Sequence, residues 1–158
     1  MISAIYGNSV LYYNMMKNFL SEKINAWEFR QKYWRQRNED LDKNKASGYS
    51  DGYSDKIKNL KGKEKIFEEE YSDLLYRKAW SDSCSDILIQ YERGIKELDI
   101  KGEMVFMGIW HFIDEYIREY APSDSAYFDP EMDVDEKTLR NRVQAVFGVL
   151  ERNKDRWM

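Results

Sequence analysis

A chain of 158 residues with a net charge of −4 is long enough for one domain with its own core and short for two. Its 42% hydrophobic and 15% aromatic content excludes a wholly disordered chain, and its slightly acidic balance argues against a general basic nucleic-acid surface. A single cysteine, Cys84, excludes an internal disulfide and any multi-cysteine metal site, and suits a reducing compartment.

The predicted elements are helical throughout, and the only prolines, Pro122 and Pro130, fall in one segment. Leu11, Tyr12, Met15, Met16, Phe19 and Leu20 recur at three- and four-residue spacing and predict a first helix from Ser9 to Leu20. Asn25 and Glu28 form a capping-box pattern, flanked by Ile24 and Phe29 as a hydrophobic staple, and predict a second helix ending near Asp40. Residues 41–62, with Gly-Tyr-Ser-Asp at 48–51 and again at 52–55, predict a long loop, either mobile or functional. Helices over 63–81, 83–98 and 103–120 follow, the last the most apolar and so expected at the centre. Residues 121–134 read as an acidic loop, and Asp135 caps a final helix over 135–153. The expected fold is all-α: one domain over 1–158, an antiparallel helical bundle of five to six helices.

No pattern carries catalysis. His111 is the only histidine, which excludes a di-metal Glu-x-x-His bundle, and its spacing sets it beside Glu115 on one helix face. No nucleophile elbow and no phosphate-binding glycine loop occurs. Nor is a membrane span expected, because the longest uncharged apolar stretch, Met104–Ile113, is far short of the ~20 residues required. The first charge, Lys17, leaves the start without the basic region of a secretory signal. The expectation is a non-enzymatic cytoplasmic protein without a cofactor.

Charge segregation is the informative feature. Residues 17–65 carry thirteen Lys or Arg against eight Asp or Glu. The second helix interleaves Trp27, Arg30, Lys32, Tyr33, Trp34, Arg35 and Arg37, a pattern that could stack and neutralise single-stranded nucleic acid. Residues 114–136 carry nine acids and one cation, Arg118. Tyr120, Tyr127 and Phe128 lie among those acids, and an acidic patch with aromatic anchors suits a basic protein partner.

Two stretches resemble a known family. Residues 19–33, F-L-S-E-K-I-N-A-W-E-F-R-Q-K-Y, are similar to the opening of colicin D-type immunity proteins. Residues 126–150, A-Y-F-D-P-E-M-D-V-D-E-K-T-L-R-N-R-V-Q-A-V-F-G-V-L, resemble that family's aromatic-Asp-Pro acidic loop and the helix that follows it. The resemblance implies an all-α immunity protein that blocks the nuclease domain of a bacteriocin or contact-dependent growth-inhibition toxin, typically one that cleaves tRNA. It covers about forty residues, and the stretch between 41 and 100 departs from the family pattern. Carried over together with the charge argument, the candidate toxin contacts are Asp124, Tyr127, Phe128, Asp129, Glu131, Asp133, Asp135 and Glu136. The alternatives are an RNA- or tRNA-binding helical module using residues 25–40, and a helical adaptor.

Overall fold

The computed structural model describes residues 2–49 and 84–158. Among them are seven helices and no strand: α1 (Ala4–Gly7), α2 (Ser9–Leu20), α3 (Ala26–Ser47), α4 (Cys84–Glu97), α5 (Gly102–Glu119), α6 (Glu136–Arg152) and α7 (Lys154–Trp157). The predicted α2 is reproduced, and α4, α5 and α6 agree with expectation within about a residue at each end. Their starts are local in origin. At α3 the Asn25 side chain accepts from the Glu28 amide at 2.9 Å, while Glu28 reaches back to the Asn25 amide at 3.4 Å. At α6 the Asp135 carboxylate accepts from the Thr138 amide at 2.8 Å.

The end of α3 corrects the sequence reading. The helix does not stop near Asp40 but runs to Ser47, so residues 41–47 are helix rather than loop. The cause is tertiary. Asp40 is fully buried and accepts from the Tyr12 hydroxyl and the Asn8 side-chain Nδ2, each at 2.7 Å, and from Gln36 at 3.1 Å. One turn on, Asn44 accepts from the Ala4 amide at 2.7 Å and donates to Ser3 Oγ at 3.3 Å. These buried polar groups are satisfied only because the N-terminal segment, including the unforeseen α1, lies against this half of α3. Gly48, the first residue of the tandem repeat, is the helix stop. Its φ of 71° lets the Tyr49 amide reach the Asn44 carbonyl at 2.8 Å. Tyr49 then donates to Glu103 at 2.7 Å. The rest of the predicted loop, 50–62, and the predicted helix 63–81 lie outside the described residues.

The apolar composition of α5 goes with deep burial along its length. Val105, Phe106, Ile109, Trp110, Phe112, Ile113, Tyr116 and Ile117 are all buried, so it is apolar nearly all round. Its most extensive contact is with α6, whose Leu139, Val143, Val146, Phe147 and Leu150 are buried. The two ends of the chain meet at the start of α5. Tyr6 donates to the Trp157 carbonyl at 2.9 Å, and the Trp157 ring lies against Tyr13 and Phe106. A Cβ on Gly102 would sit 1.5 Å from the Arg156 carbonyl oxygen, so only glycine lets α7 approach this closely.

Candidate partner-binding site

The acidic loop between α5 and α6 is a closed structure with a clamped base. The Ala121 amide donates to the Val134 carbonyl at 3.0 Å, and the Val134 amide donates to the Glu119 carbonyl at 2.9 Å. Inside the loop the acids themselves replace secondary structure. The Asp129 carboxylate accepts from the Glu131 amide at 3.0 Å, and the Asp133 carboxylate accepts from the Asp129 amide at 2.9 Å. Turns at Pro122–Ser125 and Asp129–Met132 satisfy further backbone groups. The base is also held from outside. Arg30 on α3 donates to the Tyr120 carbonyl at 3.1 Å, and Glu136 accepts from the Ala26 amide at the start of α3.

This geometry sorts the nine acids of 114–136. Asp114, only 5% exposed, is held by Arg37 at 2.6 Å and Arg118 at 2.9 Å. Glu115, which the spacing set beside His111, lies 3.2 Å from Arg118. Glu119 meets Arg142 at 2.5 Å, yet burial outweighs that cation and raises the Glu119 pKa. Asp135 is a helix cap, and the hydrogen bonds it accepts from the Thr138 amide and the Thr138 side chain hold its pKa below the ordinary carboxylate value. Glu136 joins α6 to the start of α3 and lies 3.8 Å from Arg140. Two of the eight candidate contacts are therefore engaged within the fold, Asp135 as the cap of α6 and Glu136 as a link from α6 to α3.

The others form the outward face. Asp124, Asp129 and Glu131 are exposed, and Asp133 is half-buried. Among the described residues no cation forms an ion pair with Asp124, Asp129 or Asp133. Tyr127 is 93% exposed, whereas Phe128 is half-buried. Met132, 72% exposed, is an apolar side chain that the sequence reading missed. Its signal was its place between Glu131 and Asp133 in a segment without helical period, where nothing assigns it a buried face.

The basic-aromatic helix is partly consumed by the fold. Arg37 is bound to Asp114, and Tyr33 is buried, donating to the Trp110 carbonyl at 3.1 Å. Arg30 stacks 4.2 Å above the Trp34 ring and lies 5.8 Å from Trp27. Lys32, Arg35 and Trp27 remain exposed. Among the described residues no group of three or more His, Cys, Asp or Glu is arranged to hold a metal ion, and no helix is long and apolar enough to cross a membrane. The chain matches no family model, no curated protein and no solved structure.

Proposed function

We propose that this chain is an immunity protein that binds a cognate nuclease toxin, of the tRNA-cleaving colicin or contact-dependent inhibition type, and blocks its cationic RNA groove. The observation that carries the reading is the loop over 121–134: pre-shaped, clamped at its base, and presenting acids and apolar side chains to solvent. A ribonuclease groove is cationic because its substrate is a polyanion. Asp124 and Asp129 offer the charge that steers such a groove onto the loop. Tyr127 and Met132 offer apolar area that has no use inside this fold. Neutralisation by occlusion needs no catalytic group and no cofactor, and it is required in the cytoplasm, where the RNA is. In this reading the helices form an antiparallel bundle of five to six long members that serves as a rigid base for the loop. The RNA-binding alternative is weakened because Arg30 and Arg37 are committed to internal partners.

The test is co-expression with the C-terminal domain of a tRNA-cleaving toxin of the colicin or contact-dependent inhibition type, sought among the reading frames neighbouring this chain's gene, reading growth and tRNA integrity. Protection by the wild-type chain, lost when the loop acids are neutralised, is the expected result. Cleavage of tRNA by the purified chain itself, abolished by one substitution in it, would refute the reading.

A further inference from the structure

We infer that the groove between α4 and α6 is a binding site for a small anionic amphiphile, a medium-chain alkyl carboxylate whose head is taken by Arg152 and whose chain lies along the groove. None of its residues belongs to the acidic loop, so the inference is independent of the immunity reading. The groove holds about 520 Å³, within the range of roughly 300–1,000 Å³ that small-molecule sites occupy. Its described lining is Leu88 and Ile89 from α4 and Gln144, Ala145, Gly148 and Arg152 from α6.

The sequence of α6 makes the floor. Gln144, Gly148 and Arg152 recur every four residues and form one row along the helix. Ala145 and Gly148 leave that floor without bulk, while Leu88 and Ile89 supply an apolar wall. Glycine weakens a helix interior relative to alanine. What uses the room at Gly148 is the Arg152 guanidinium: a Cβ there would lie 3.0 Å from Nη1 and 4.0 Å from Nη2.

That guanidinium is held from one side only. Its Nε is bonded to Glu92 on α4, which is only 7% exposed. Among the described residues Arg152 forms no other ion pair or hydrogen bond, so Nη1 and Nη2 remain as a fork over Gly148. Lys96 lies 3.3 Å from the second oxygen of Glu92. Two cations thus meet one acid, and this end of the groove carries an excess positive charge. A planar fork fixed through its third nitrogen suits a carboxylate, which accepts both N–H groups side by side. A single excess charge matches a carboxylate better than a phosphate near −2. The apolar wall and bare floor call for an alkyl body behind that head.

The probes are octanoate, octanol and octylammonium, titrated while the amide shifts of Ala145 and its neighbours are followed by NMR. Octanoate is expected to bind with a Kd of about 1 mM, roughly tenfold more tightly than octanol, with octylammonium the weakest. Arg152→Gln leaves Glu92 paired with Lys96, and should erase the preference for octanoate while octanol still binds. Gly148→Ala puts a methyl group on the floor, against only the far end of a flexible side chain. It should weaken octanoate at least about fivefold while the melting temperature holds or rises, since alanine favours the helix. No shift at Ala145 with ~10 mM octanoate would overturn the inference. So would a preference for octanoate that survives Arg152→Gln, or full binding by Gly148→Ala. Dimerisation of the wild type in sedimentation, abolished by Ile89→Ser, would overturn it in favour of a second copy as the occupant.

Discussion

The triple variant Asp124→Asn, Asp129→Asn, Glu131→Gln probes the charge argument without opening the loop. Asn at 129 keeps a side-chain oxygen for the Glu131 amide, and Asp133 is left alone because its carboxylate accepts the Asp129 amide. Alanine at 129 or 133 would remove these internal bonds and confuse loop shape with charge. The triple variant removes three negative charges from a chain whose net charge is −4. A charge pair about 6 Å apart interacts by roughly 0.7 kcal/mol in bulk water and about 2.8 kcal/mol at an effective dielectric of ~20. All three side chains are exposed, so the weak limit applies, and their sum is about 2 kcal/mol.

That energy should appear mainly in association rate, as a loss of about tenfold to thirtyfold at low ionic strength. Stopped-flow mixing with the cognate nuclease domain reads it directly. The gap between wild type and variant should close toward ~1 M salt, where the screening length is ~3 Å. Circular dichroism should be unchanged. The control is Lys32→Ala with Arg35→Ala, both exposed on α3 and neither bonded to the loop. If the control slows association and the acidic triple does not, the interface is on the cationic face and the phosphate-mimicry argument is refuted.

Arg30→Ala removes a charge-assisted hydrogen bond to Tyr120 and the stacking on Trp34, and should cost about 1–2 kcal/mol. Amide exchange at Ala121 and Val134 should speed up, and unchanged exchange there would show that α3 does not hold the loop. Gly102→Ala should cost about 3 kcal/mol or more in chemical denaturation, because its Cβ would overlap the Arg156 carbonyl, whereas Gly7→Ala, with nothing within 4 Å, should be near neutral. Asp135 has a lowered pKa, so its contribution is present above the unfolded value of about 3.9 and is lost as pH falls through the lower folded value. Asp135→Asn keeps the cap and removes the titration, so stability should change little at neutral pH and fall less steeply below about pH 4. An unaltered acid slope would show that other carboxylates dominate.

The elements legible in the sequence were those whose cause is local. The capping box at Asn25 and the cap at Asp135 act within four residues, and the apolar stripe of α5 needs no knowledge of what covers it. What stayed hidden depends on residues far away in the chain. Asp40 and Asn44 looked like the polar start of a loop, and they are inside only because Ser3, Ala4, Asn8 and Tyr12 come to meet them. The same distance effect governs the acidic segment. Asp114 is neutralised by Arg37 from another helix, Glu119 is paired with Arg142, and Glu136 has Arg140 at 3.8 Å. A run of acids in sequence thus overstates the acidic surface, because a carboxylate on a packed helix finds its cation through the fold. The correction runs the other way in the loop. Asp129 and Asp133 bond to amides, which are not cations, so their hydrogen bonds give the loop shape while leaving its charge in place. A loop ordered by its own carboxylates can therefore present charge at fixed positions, and fixed charge opposing a fixed cationic groove loses little conformational freedom on binding.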